Sequence, residues 1–92
     1  MNNSNEWHKR KYYINRKIID TLKAVPCHDC KNSYPTYVMD FDHREPKEKR
    51  FDIARCMAHP IEKILKEIEK CDVVCSNCHR IRTHLREARK CN

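Results

Sequence analysis

Val74-Cys75-Ser76-Asn77-Cys78-His79-Arg80-Ile81-Arg82-Thr83 decides the reading, because its Cys75-x-x-Cys78 pair matches an upstream pair, Cys27-His28-Asp29-Cys30. Zinc favours four soft or borderline ligands in a tetrahedron, and two such knuckles from distant parts of a chain supply four thiolates that close the shell. A redox C-x-x-C is the rival, but a thioredoxin-like site needs one pair in a βαβ setting, and here two pairs match each other. Structural zinc on Cys27, Cys30, Cys75 and Cys78 is therefore expected. The long stretch between the knuckles reads as a functional insert held by the clamp. Cys56, Cys71 and Cys91 have no such partner and default to buried or free thiols.

Outward from the clamp, the 92 residues make one domain (1–92), too short to be comfortably stable on apolar burial alone. A structural zinc site supplies on the order of 10 kcal/mol, so the metal is expected to decide whether the chain folds. Seven cysteines are an odd count for a disulfide framework, and no apolar segment follows the polar start Met1-Asn2-Asn3-Ser4-Asn5-Glu6. These features point to a reducing intracellular compartment, the cytoplasm. No uninterrupted apolar stretch reaches about 18 residues, so no membrane span is expected. Twenty Lys plus Arg against thirteen Asp plus Glu give a net charge of +7, which favours a polyanionic partner, with nucleic acid the leading candidate.

Residues 1–6 read as a disordered start, followed by a helix in which Ile14, Ile18, Leu22 and Val25 recur at near-helical spacing until Pro26 stops it. Its basic residues Lys9, Arg10, Lys11, Arg16, Lys17 and Lys23 form either a solvated face or a DNA-backbone contact. Tyr34 to Asp42 is β-rich and ends at Asp42-His43. A charged loop, 44–50, follows, and Phe51 and Ile53 re-enter the core. Pro60 opens a helix with Ile61, Ile64, Leu65 and Ile68 on one face and Glu and Lys outside. Asp72-Val73-Val74 is a strand candidate. Ser76 or Asn77 caps a last helix with Ile81, Leu85 and Ala88 on one face.

With these elements in order, the chain resembles the HNH endonuclease family, most closely its small phage-type, zinc-bearing members. The resemblance covers residues 27–83 and rests on Cys27-x-x-Cys30, Met39-Asp40-Phe41-Asp42-His43 and Cys75-x-x-Cys78-His79. It implies an α+β fold with a ββα-metal core (the His-Me finger), stapled by the four-cysteine zinc site, with an N-terminal helix and an inserted helix. It further implies a DNA endonuclease with His43 as general base and with Asp42 and His79 on a catalytic divalent ion, which could be Mg²⁺, Mn²⁺, Ni²⁺ or Zn²⁺. The chemistry agrees, since imidazole is the side chain best poised to take a proton at neutral pH and phosphodiester hydrolysis needs positive charge at the phosphorus.

Arg82, Thr83 and Arg86 follow His79 by three, four and seven positions, hence lie on its face of the helix, where they are expected to grip phosphate. Asp40 shares a strand face with Asp42 and is read as a solvated carboxylate, with support of the metal as the alternative. The family's middle Asn falls at Lys70, a departure from the pattern that bears on the positioning of His43, with Cys71 or Asp72 as candidates to take over. That departure also supports the alternative, a non-catalytic zinc-stabilised module that binds nucleic acid.

Overall fold

The computed structural model describes residues 3–90, so Met1, Asn2, Cys91 and Asn92, and the side chains of Asn3, Ser4, Asn5 and Lys90, lie outside the described residues. Helix α1 (Asn3–Leu22) runs through a stretch free of proline, and it takes in residues 3–6, which the sequence suggests as an irregular start. Strand β1 (Met39–His43) pairs antiparallel with β2 (Cys71–Cys75), Met39 lying opposite Cys75 and His43 opposite Cys71. Between them lie the charged loop and helix α2 (Ile61–Ile68), with Pro60 at its N-cap. Helix α3 (Ser76–Lys90) follows β2 without a loop. The fold class is α+β, as expected, with one two-stranded sheet and three α-helices among the described residues.

The strand expected over Tyr34–Asp42 begins only at Met39. Pro35 has no N–H to give a ladder, and Thr36–Val38 winds into a 3₁₀ turn in which the Val38 N–H donates to the Pro35 carbonyl at 2.9 Å. Strand alternation then sends Met39, Phe41 and His43 to one face of the sheet and Asp40 and Asp42 to the other.

Two small clusters make the core. Cys27, Met39, Val74, Cys75 and Cys78 form one, at the knuckles. Ile19, Ile53, Met57 and Ile64 form the second, joined by Phe41 and Phe51, so the expected return of Phe51 and Ile53 to the core is observed.

Two helix faces differ from expectation. On α1 the buried residues are Asn15 and Ile19, while Ile14, Ile18 and Leu22 are exposed. The helix is rotated by a polar anchor: the Asn15 amide donates to the carbonyls of Met57 and His59, both at 2.8 Å. On α3 Ile81 and Leu85 are exposed, and the inward face instead carries Cys78, His79, Arg82 and Arg86. Those polar groups turn inward because carboxylates of Asp29, Asp40, Asp42 and Asp72 wait to receive them.

Candidate active site

The two knuckles meet. The Sγ atoms of Cys27, Cys30, Cys75 and Cys78 all lie within 4.8 Å of one another, the single group of three or more potential ligands this close among the described residues. Cys27, Cys75 and Cys78 are buried and Cys30 is the exposed member. The Cys75 N–H donates to the Cys27 sulfur at 3.3 Å and the Cys78 N–H to the Cys75 sulfur at 3.5 Å, the backbone support that thiolates want. Burial pushes the Cys27 thiol up, but the N–H groups of Cys30, Cys75 and Asp29 outweigh it and bring it to about 6. Burial and the neighbouring sulfurs push the Cys78 thiol up to about 12. Four sulfurs this close repel one another as thiolates, and a divalent cation relieves that repulsion. The cluster can hold a structural metal ion such as zinc.

Cys27-His28-Asp29-Cys30 closes without glycine. The Lys31 N–H donates to the Cys27 carbonyl and the Cys27 N–H to the Asn32 carbonyl, both at 2.9 Å, and Lys31 takes the left-handed conformation, φ 66°, that the turn requires.

Next to this centre, β1 and α3 enclose a groove of about 400 Å³ lined by Asp40, Asp42, His43, His79 and Arg86, with Lys23, Lys49 and Arg55 among the other lining residues. His79 is aimed by Asp40: its Nδ1 lies 3.0 Å from Asp40 Oδ2, leaving Nε2 to face Asp42 Oδ1 at 3.4 Å. Asp40 thus partners His79 while its carboxylate stays partly solvent-exposed, as expected.

Asp42 is buried and crowded with positive charge. Arg86 bonds both of its oxygens at 2.9 Å and Arg82 Nη1 bonds Oδ2 at 2.9 Å. Burial alone would raise the Asp42 carboxyl, yet the two guanidiniums hold it below the ordinary carboxylate range.

A comparison with protein-family models, curated proteins and solved structures finds no match. The site therefore stands on its own geometry.

His43 closes the other side of the groove. Its Nε2 lies 2.6 Å from Glu67 Oε2, an α2 carboxylate as buried as the core isoleucines. Oε2 also accepts the Arg50 N–H at 2.9 Å, and Oε1 accepts the Lys70 ammonium at 3.0 Å. Burial alone would push the Glu67 carboxyl up, but these donors outweigh it and bring it to about 2. The sequence reading put the glutamates of α2 outside. Glu67 lies in the charged run Lys66-Glu67-Ile68-Glu69-Lys70, which looks solvated, and its one signal is a place three residues after Ile64, on the buried stripe.

Lys70 ties down the loop after β1. Its ammonium donates to the Glu48 carbonyl and its own carbonyl accepts the Arg44 N–H, both at 3.0 Å. The Arg44 guanidinium adds bonds to the Glu69 and Cys71 carbonyls. Cys71 contributes a bond from its thiol to the Glu67 carbonyl, and its thiol is pushed up to about 11 by burial and the Glu67 charge.

Of the three residues expected on phosphate, Arg86 lines the groove but is engaged with Asp42. Arg82 is shared by Asp29, Asp42 and Asp72. Thr83 is exposed and returns its hydroxyl to the His79 carbonyl. No helix among the described residues is long and apolar enough to cross a membrane.

Proposed function

We propose that β1, β2 and α3 form an HNH-type ββα-metal finger and that the chain is a divalent-metal-dependent DNA endonuclease. The observation that carries this reading is the convergence of Asp42, His43 and His79 from two separate segments on one groove with cationic residues in its lining. The 3.4 Å between Asp42 Oδ1 and His79 Nε2 is a separation that two ligands of one divalent ion can span when each bond is about 2.0–2.2 Å. Asp42 Oδ1 accepts only one of the arginine bonds and keeps a lone pair, and the Asp40 contact reserves the free electron pair of His79 for Nε2.

Bound there, Mg²⁺, Mn²⁺, Ni²⁺ or Zn²⁺ would supply positive charge where the phosphorane and the departing oxygen become negative. The chain's own residues do the rest. His43 takes a proton from water, the water oxygen bonds to phosphorus, and the bond from phosphorus to the 3′ oxygen breaks. The leaving oxygen takes a proton from solvent, giving a 5′ phosphate and a 3′ hydroxyl. Arg86, on the groove wall, adds fixed positive charge, and the four-cysteine centre fixes the backbone from which His79 projects.

One observation favours the alternative, a non-catalytic zinc-stabilised nucleic-acid-binding module: both oxygens of Asp42 are already held by guanidiniums. Plasmid cleavage with each of the four metals separates the two. The nuclease reading expects metal-dependent cutting, lowered at least about 100-fold in His43→Ala with zinc content and DNA affinity unchanged. His79→Ala should raise the metal concentration needed for half-maximal rate. No cutting by wild type with any of the metals leaves the binding module, whereas full activity of His43→Ala removes His43 as the base.

A further inference from the structure

We infer that Glu67 is the positioning residue for His43: its buried carboxylate holds the imidazole by Nε2 and so presents the Nδ1 lone pair to the groove. The inference rests on the nuclease reading for its catalytic meaning, and on three features of the Glu67 contact for its geometry.

The first is direction. A carboxylate at this site is an acceptor, since the Arg50 N–H and the Lys70 ammonium already donate to it, so the proton of the 2.6 Å contact belongs to His43 Nε2. The neutral imidazole has only one N–H, which makes Nδ1 the nitrogen able to take a proton.

The second is access. Among the described residues no protein group bonds His43 Nδ1, and no buried side-chain nitrogen or oxygen lacks a partner. Nδ1 is therefore open to solvent although His43 as a whole is buried, and the groove is the opening that His43 lines.

The third is rigidity. Glu67 is clamped from three directions, by the loop after β1, by Lys70 and by the packing of Ile64 and Ile68 on its own helix. A histidine tied only to β1 could rotate its ring and exchange its two nitrogens. A ring tied also to α2 cannot do so without leaving a buried carboxylate oxygen short of a donor, a loss of the kind that costs more than an ordinary hydrogen bond. Nε2–H stays on Glu67 while Nδ1 takes its proton, so the ring keeps its orientation. Partners that orient metal-ligating histidines in this way are worth about 10- to 100-fold in activity, and the same scale is expected for a histidine that acts as a base.

The test uses the zinc-loaded full chain. In ¹⁵N-imidazole NMR, before any catalytic metal is added, His43 of wild type should show a slowly exchanging Nε2–H and an unprotonated Nδ1. Glu67→Leu should lose that protected proton, and Glu67→Gln, whose carbonyl oxygen can still accept it, should keep it. In cleavage, Glu67→Leu should lower kcat by about 10- to 100-fold with KM for DNA within about twofold. Glu67→Gln should recover part of the loss, and it carries the test alone if Glu67→Leu fails to fold.

A His43 ring protonated on Nδ1, or one without a protected Nε2–H, overturns the pairing whatever the cleavage result. A loss in KM with kcat unchanged, or full kcat in both variants, overturns the positioning role. A protected Nε2–H in a wild type that cuts nothing overturns the nuclease reading and leaves the pairing standing, so the two failures are told apart.

Discussion

Lys31 pays for the absence of glycine. A left-handed residue with a Cβ is strained by about 1–2 kcal/mol, and the chain accepts that cost in the turn that brings Cys27 and Cys30 together. Lys31→Gly should therefore raise stability by about 1 kcal/mol, read as a higher midpoint in urea for the zinc-bound protein. An unchanged or lower midpoint would mean that the aliphatic stem of Lys31 contributes more than its backbone costs. The same scale explains what sequence could and could not disclose. Cys27, Cys30, Cys75 and Cys78 were legible because a metal fixes ligand type and spacing together. Asp40 and Glu67 were not, because a carboxylate that aims a histidine has no spacing rule. Its partner is brought up by the fold, from α3 to Asp40 and from β1 to Glu67.

Among the elements, α3 carries the largest mismatch between pattern and packing. Periodicity located the helix but chose its face wrongly, since Ile81 and Leu85 face solvent while arginines face the sheet. Arg82 is the reason. Its Nε and Nη2 grip both oxygens of Asp29 at 2.7 and 2.6 Å, and its Nη1 reaches Asp42 at 2.9 Å and Asp72 at 3.0 Å. It thereby bolts α3 to the first knuckle and to both strands. Removing it leaves three neighbouring carboxylates short of a cation; breaking a fully buried pair costs about 3–5 kcal/mol, and because these pairs are half-buried or exposed the cost falls at or below the lower end. Arg82→Ala should destabilise by up to about 3 kcal/mol in chemical unfolding, and Arg82→Lys should restore only part, because an ammonium cannot reproduce the fork. The pH dependence follows from Asp29, whose carboxyl hydrogen bonding from Arg82 holds below its ordinary 3.8. A depressed folded pKa means the stabilisation is complete above that range and lost as pH falls below it, so wild type and Arg82→Ala should converge in acid. A variant that unfolds like wild type at neutral pH but binds DNA more weakly would return Arg82 to the phosphate-contact role read from the sequence.

For the molecule as a whole, the four-cysteine centre has to make up for a small core. A compact chain of 11.2 kDa exposes about 5,700 Å², whereas this one exposes 7200 Å² over extents of 55 × 29 × 20 Å. The cluster remote from the cysteines has four buried apolar residues, Ile19, Ile53, Met57 and Ile64. The other apolar residues that pack against them, Tyr12, Phe41, Phe51, Ile61, Ile68 and Cys71, are only partly buried, a core too thin for a separate folding unit. That half cannot stand alone, and the sheet linking it to the knuckles is a single pair of five-residue strands, marginal in isolation. Stability must then run through the sulfurs. Structural zinc contributes about 10–16 kcal/mol at neutral pH, as much as the whole net stability of about 5–15 kcal/mol that a domain of this size holds. Stripping metal with a strong chelator should thus unfold both clusters in one transition, seen as joint loss of helical circular dichroism and of amide protection in β1, β2 and α2. Cys27→Ser should do the same without chelator. Purified protein should carry one zinc per chain by elemental analysis. Survival of protected amides in α2 after complete metal removal, or a folded protein without metal, would show that the Ile19–Ile64 cluster is self-sufficient and that the cysteine centre serves something other than the fold.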